Sequence, residues 1–407
     1  MTKKIIAVFT GNRAEYGLQY PILKAIDAHP DLEYRLIVSG AHLDDNFGRT
    51  LDEIRADGFD IHETVDIKVP DDTLRATAYA IGSGVIAIAE ALARVNPDIF
   101  VVYADRFEGF AAVIAGSQTN VPVAHIEGGD LTEGGALDDS VRHAMSKLAH
   151  LHFTTNQQAS NRVIGMGEEP WRVHTVGFPM IDMILDGNFA SREDVLAQYK
   201  LDPTRPIIVF TQHSVTTLFD AAEDQLRPSL EGLAKFSREF KAQVILTYPN
   251  NDAGGRHIYS MLEDVMQDAP EGFQLHRSLG RYNYHGLLAL AQTPEINVVC
   301  AGNSSSGIKE SPAFGCPCVN IGTRQLGRLR AENVLDAPYE KEAIFEALKT
   351  AALDPAFRKK SRESANPYGM GDAGIKIAKI LAETELGEGL IIKKMLLKGE
   401  VNEGWHR

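Results

Sequence analysis

The chain has 407 residues, 44% of them hydrophobic and 24% charged, which is the balance of a folded globular protein rather than a disordered one. That length exceeds one ordinary core, so two domains of roughly 150–200 residues are expected. A formal net charge of -14 with no basic stripe excludes a nucleic-acid partner and leaves any anionic ligand to a few local cations.

Met1 to Lys4 leads directly into an apolar run, Lys4 to Phe9, read as the first strand, with Gly11 to Glu15 as its exit loop. No apolar run reaches the ~18 residues of a membrane span, so a cytoplasmic chain without membrane contact is expected. Tyr20 to Asp27 reads as the first helix, Pro21 being tolerated in its opening turn, and Tyr34 to Ser39 as the second strand. Ala and Ile at helical spacing predict a long helix from Thr73 to Val95, ending before Asn96-Pro97. Asp98 to Tyr103 and Val121 to His125 are short, β-branched and free of alternation, the signature of parallel strands buried on both faces. Each is followed by an acid, Asp105 in Tyr103-Ala-Asp-Arg-Phe-Glu108 and Glu127 in His125-Ile-Glu-Gly-Gly-Asp130. A carboxylate just past such a strand lies at the carboxyl edge of the sheet, where open α/β folds bind ligands. His150 to Thr155 reads as a further strand; the spacing of His150 and His152 suits a metal, but no third ligand follows nearby, and both are taken as structural.

A second strand–helix series runs through Pro206 to His213, Ala242 to Tyr248, Phe273 to His276, Ile296 to Cys300 and Pro317 to Ile321. Cys300, Cys316 and Cys318 cannot close a disulfide set and lack zinc-type C-x-x-C spacing, so they are expected to pack in or beside strands. The stretch Phe178 to Arg205 reads as the connection. The pattern predicts two Rossmann-like α/β domains, 1–180 and 190–365, facing across a cleft, with a tail over 385–407 that has no assignable role.

Gly11-Asn-Arg13 follows the first strand but lacks both G-x-G-x-x-G and G-x-x-x-x-G-K-[ST], so neither dinucleotide binding nor a P-loop is indicated. Gly302-Asn-Ser-Ser-Ser-Gly307 follows a second-domain strand and precedes a helix. It reads either as a plain turn or as an anion cradle, with Ser304 and Ser305 as hydroxyl donors and Glu310 able to accept two ribose hydroxyls. Arg13 and Arg324 each leave a strand end, where guanidinium would grip phosphate.

These residues carry a resemblance. Gly11-x-Arg-Ala-Glu15, Ala104-Asp-Arg106, His125-Ile-Glu-Gly-Gly129, Asp138-Asp-Ser-Val-Arg-His143, Tyr248-Pro-Asn250, Asn303 to Gly307, Gly322-Thr-Arg-Gln325-x-Gly-Arg328 and Asn366-Pro-Tyr-Gly-x-Gly371 occur in order. The set resembles the hydrolysing UDP-N-acetylglucosamine 2-epimerases of the sialic-acid and legionaminic-acid branch, over residues 4 to about 384. The resemblance implies a glycosyltransferase-B-type fold with a C-terminal helix, 373–384, crossing back to the first domain. It also implies conversion of a UDP-sugar to UDP and a free 2-epimerised sugar, with no metal, no nicotinamide and no other cofactor, in a homodimer or a dimer of dimers. Asp105, Glu127 and Asp138 match the acids around the sugar and His213 a histidine needed for turnover; Asp139 beside Asp138 leaves that match open. Arg13, Arg106, Arg142, Asn250, Ser304, Ser305, Gly307, Glu310 and Arg324 match substrate-side positions. Where the other branch of the family has a lysine, this chain reads Gly17-Leu18.

Such chemistry needs a carboxylate base at carbon-2, cations on the leaving diphosphate, and a second acid–base group to hydrate the glycal. Three acids in one crevice repel, which raises at least one pKa and lets it serve as an acid. His125 either orients Glu127 or packs, and Tyr282 and Tyr284 either stack on uracil or line the core. A retaining glycosyltransferase and a non-catalytic UDP-sugar sensor are the rival readings, and the sugar is either N-acetylglucosamine or a 2,4-diacetamido-trideoxy sugar.

Overall fold

A computed structural model describes residues 3–43, 50–67, 74–132, 137–215, 222–249 and 255–396. Contacts divide the chain into two compact units, one of residues 1–130, 137–182 and 368–407, the other of 131–136 and 183–367.

The first unit holds a seven-stranded sheet. Its strands are β1 (Lys4–Thr10), β2 (Leu32–Ser39), β3 (Ile61–Val65), β4 (Ile99–Tyr103), β5 (Val123–Ile126), β6 (Leu151–Thr154) and β7 (Val173–Thr175). They run parallel in the order β3-β2-β1-β4-β5-β6-β7. Strand order reverses between β1 and β4, so the exits of these two strands flank the switch point where ligands bind in open α/β sheets. Successive residues feed opposite cores: Ile6, Val8, Ile99, Val101 and Tyr103 pack on one face, Ala7, Phe9, Phe100 and Val102 on the other. That two-sided burial is why these strands are continuously apolar.

The second unit holds six parallel strands, β8 (Ile207–Thr211), β9 (Gln243–Thr247), β10 (Phe273–His276), β11 (Val298–Gly302), β12 (Cys318–Ile321) and β13 (Val334–Ala337), in the order β10-β9-β8-β11-β12-β13. Its switch point lies between β8 and β11. The two-domain, parallel α/β architecture expected from the pattern is present. The three cysteines are free and buried.

Some expectations shift. The first helix begins at Arg13, because the Asn12 side chain caps it by accepting from Glu15 N at 3.0 Å, so Arg13 to Glu15 is helix rather than exit loop. β3, β7 and β13 were not anticipated. The Leu74–Val95 helix contains a window, within Arg75–Val95, long and apolar enough to span a membrane by length and composition alone, contrary to the expectation that no such stretch exists. Ala80, Ile88, Ala91 and Leu92 on that helix are core residues. Phe178 to Arg205 carries two short helices, Met180–Leu185 and Arg192–Gln198.

The helix Ala373–Glu383 belongs to the first unit. Its Ile377, Ala378 and Leu381 share a core with Ile22, Leu23 and Ile26 of the first helix. Asp182 accepts from its first amides, Ala373 N at 3.0 Å and Gly374 N at 2.8 Å, and Lys4 Nζ donates to carbonyls at its end. Beyond it the tail docks on fully buried Arg172, whose guanidinium donates to the carbonyls of Gly389, Leu390 and Ile392 at 2.6–3.0 Å and to Glu169 at 2.8 Å. Lys393 reaches buried Glu168, which also binds His152 and Lys147. His152, a ring that burial disfavours charging, thus hydrogen-bonds Glu168, and His150 accepts from Val123 N.

Candidate active site

In the first unit one acid, Glu127, sits on unusual backbone and the other, Asp105, directly follows a residue that does. Ala104 (φ 59°) and Glu127 (φ 67°) are non-glycine residues in the left-handed region at the ends of adjacent strands β4 and β5. Such residues persist only where surrounding structure holds them. Glu127 N donates to Phe153 O at 2.8 Å and Ala104 N to Ile126 O at 3.1 Å. The fully buried His125 ring supplies a further tie: its Nε2 lies 2.7 Å from Ala104 O and its Nδ1 3.1 Å from Ser146 Oγ. Burial pushes this histidine down to about 4, so the ring is neutral, Nε2–H donates to the carbonyl and Nδ1 accepts. His125 was expected to orient Glu127 or to pack; its ring bonds instead to Ala104 O and Ser146, so it fixes the peptide that precedes Asp105.

Arg142, on the Leu137–Leu148 helix, is the hub. Its buried guanidinium pairs with Asp105, with Asp139 at 2.8 Å and with Asp130 O at 2.8 Å. The adjacent acids therefore differ: Asp139 is buried in this pairing, whereas Asp138 is exposed and acts on the charge of Arg106. Burial, then the nearby Glu127 carboxylate, push the Tyr103 phenol well above its ordinary range.

A second acidic pair was not singled out as functional from the sequence. Glu15 and Glu108 are both buried, and Glu15 Oε2 accepts from Gly11 N at 2.9 Å. Burial and then the Glu108 charge raise Glu15 to about 7; Glu108 is raised by burial against the pull of Arg106, whose Nε lies 3.3 Å away. Each sits in the first turn of a helix, where an acid passes for a simple dipole complement. Gly11 is required here: a Cβ on it would lie 2.9 Å from Glu108 Cβ. Arg13 opens its helix, but its side chain lies outside the described residues, as does all of Asn250.

In the second unit the exits of β8 and β11 are laced together. Asn303 Oδ1 accepts from His213 N at 2.7 Å and its Nδ2 donates to His213 O at 2.8 Å. Asn303 O accepts from Gln325 at 2.8 Å and Arg324 at 3.3 Å, which brings Arg324 to the same edge as His213 and Ser304. Gly302 (φ 117°) has no room for a Cβ, which would stand 2.0 Å from Thr211 O. The helix expected after the loop is a single turn, Ser306–Lys309, with Ser305 preceding it and a 3₁₀ turn at Ser311–Phe314 following, because Pro312 and Gly315 break it. A Cβ on Gly307 would stand 2.8 Å from Cys318 Sγ, so the turn lies directly on β12. Ser304 Oγ, Ser306 Oγ and Tyr284 Oη form a chain with steps of 2.9 and 2.7 Å. Tyr284 therefore supports the loop, and Tyr282 is exposed. Glu310 is partly open, with His285 Nε2 2.7 Å from its Oε2. Among the described residues no group of three or more His, Cys, Asp and Glu is arranged to hold a metal ion.

A family model described as UDP-N-acetylglucosamine 2-epimerase matches residues 24–382. The chain belongs to the UDP-N-acetylglucosamine 2-epimerase family. It is 32% identical over 393 residues to a Legionella pneumophila protein named UDP-N,N'-diacetylbacillosamine 2-epimerase (hydrolyzing), covering 97% of this chain and 99% of that one. It is 33% identical over 350 residues to a Neisseria meningitidis UDP-N-acetylglucosamine 2-epimerase, covering 86% and 87% of the two chains. Among solved structures, a Neisseria meningitidis UDP-GlcNAc 2-epimerase bound to UDP-GlcNAc superposes with TM-score 0.72 at 17% identity, covering 94% of this chain and 100% of that one. A Methanocaldococcus jannaschii UDP-GlcNAc 2-epimerase in complex with UDP-GlcNAc and UDP gives 0.73 at 17%, covering 93% and 100%. These structures share the glycosyltransferase-B-type fold with this epimerase-family enzyme.

Proposed function

We propose that the chain is a hydrolysing 2-epimerase that converts UDP-N-acetylglucosamine to UDP and free N-acetylmannosamine. A carboxylate removes the carbon-2 proton as the bond from carbon-1 to the diphosphate oxygen breaks, leaving a 2-acetamidoglucal and UDP. Water then adds across the double bond, hydroxyl to carbon-1 and a proton to the opposite face of carbon-2. Asp105, Glu127 and Asp138 share these proton transfers, with Arg142 holding Asp105 in register. Arg13, Arg106 and Arg324 carry the diphosphate with Asn250, Ser304, Ser305 and Gly307; Glu310 accepts ribose hydroxyls and His213 assists departure of UDP.

The observation that carries the reading is the pair of acids leaving adjacent parallel strands, Glu127 on left-handed backbone and Asp105 directly after left-handed Ala104, with Asp105 tied to a buried guanidinium. A fold that merely needed to end two strands has no reason to hold two non-glycine residues there. Incubation with UDP-N-acetylglucosamine alone in D₂O tests it: UDP and N-acetylmannosamine deuterated at carbon-2 should accumulate together. Product without carbon-2 deuterium rules out the elimination route; transfer only in the presence of an acceptor indicates a glycosyltransferase, and binding without turnover a sensor.

A second substrate reading is the same chemistry on UDP-2,4-diacetamido-2,4,6-trideoxyglucose. It is favoured by the name of the Legionella relative, which is matched over 97% of this chain. Initial rates on both sugars, measured side by side, choose between them.

A further inference from the structure

We propose that His285 is a positioning residue that fixes the Glu310 carboxylate for recognition of the ribose hydroxyls. The inference rests on the reading above that Glu310 accepts those hydroxyls. His285 lies on the Gly280–Ala289 helix with 1% exposure, and its Nε2 is 2.7 Å from Glu310 Oε2. An ionised carboxylate only accepts, so the proton of this bond sits on Nε2. The other nitrogen, Nδ1, is buried with no partner, a desolvation cost with no return in local structure. The ring is held for Nε2 alone.

Its surroundings give it no freedom. The ring packs on Phe314 with centroids 5.4 Å apart. Gly286, the next residue, seats the helix so tightly that a Cβ there would lie 2.7 Å from Ala190 O. The preceding residue, Tyr284, holds Ser306 at 2.7 Å, so two successive side chains of one helix brace the Ser304–Ser306 loop and Glu310. With Oε2 engaged by a charge-assisted bond, the carboxylate plane is set, and Oε1 and the remaining lone pair are available to a vicinal diol. Without the imidazole the carboxylate rotates, and the lost order should appear only in binding that uses the diol.

Calorimetric titration with UDP and with 2′-deoxy-UDP separates this role from a merely structural one. The unaltered protein should prefer UDP, and His285→Asn, whose amide is too short to reach, should lose about tenfold in UDP affinity while 2′-deoxy-UDP, which keeps only the 3′-hydroxyl, loses clearly less. His285→Gln, which returns an N–H donor near the Nε2 position, should recover most of the preference. His285→Asn binding both ligands as the unaltered protein does, or losing both in parallel, overturns the role. An unaltered protein that does not distinguish the two nucleotides removes the ribose reading of Glu310 and this inference with it. If His285→Asn does not fold in a thermal melt, His285→Gln decides, and its failure to keep the preference while folded overturns the proposal.

Discussion

Asp105→Asn separates chemistry from architecture at the proposed site. Asp105 pairs with Arg142, a guanidinium only 3% exposed that also holds Asp139 and Asp130 O. The asparagine oxygen still accepts the same N–H, so the bond loses charge rather than its partner. The difference between a charge-assisted and a neutral hydrogen bond is about 1 kcal/mol, which shifts Tm by ~2–4 °C in a unit of this size. Loss of a carboxylate that moves the carbon-2 proton should instead cost about 10²–10⁴ in turnover. Rates from a coupled UDP-release assay, a calorimetric melt and a UDP titration should therefore diverge, with activity gone, Tm nearly kept and UDP affinity within about threefold. Asp138→Asn and Asp139→Asn calibrate the result: the exposed Asp138 should cost rate without stability, the buried Asp139 stability first. Turnover within about tenfold of the unaltered protein, or UDP affinity falling in step with rate, would refute the reasoning.

Glu15→Gln tests the buried acid pair. Burial and Glu108 raise Glu15 from 4.5 to about 7, so the unfolded chain releases this proton first and stability falls as pH rises from 4.5 to 7, by about 3 kcal/mol in all. His42, His125 and His150, lowered by burial to about 4, act in the opposite sense, with stability lost as pH falls from 6.5 to 4. Denaturation midpoints from pH 5 to 8 should give a difference between variant and unaltered protein that grows in the variant's favour toward pH 8; a flat difference rejects the raised pKa. His125→Phe should lower kcat by about 10²-fold with KM little changed, because the Ala104 carbonyl and Ser146, not a substrate contact, lose their tie; an equal rise in KM would contradict this. Arg172→Met, which strips donors from three tail carbonyls and unpairs Glu169, should cost about 3–5 kcal/mol and open residues 388–396 to protease; an unchanged melt and cleavage pattern would refute the anchoring role.

The central strands were legible because both faces of β1, β4, β5, β8 and β11 are buried, leaving unbroken apolar runs in the sequence. Of the edge strands only β10 was: Ile61-His-Glu-Thr-Val65 is half exposed, and Val173-His-Thr175 is only three residues long. Asp105 and Glu127 could be read from position alone, since a strand end fixes where the next residues emerge. Which of Asp138 and Asp139 faces inward could not, because neighbours on a helix differ by about 100° in direction and the sequence does not show which face of that helix is buried. The roles of Asn303 and His285 were hidden by distance along the chain. Their partners, His213 and Glu310, lie 90 and 25 residues away in the chain.

The return of Ala373–Glu383 and the Arg172-bound tail to the first unit has a consequence for biogenesis. Residues 183–367 leave the ribosome between the two portions of that unit. At ~5–20 residues per second the delay is about 10–40 s, during which the hydrophobic surface around Ile22, Leu23 and Ile26 lacks its cover. The later lobe can mature first, while the earlier one waits on the nascent chain, a stage at which chaperone capture and heat sensitivity should be greatest.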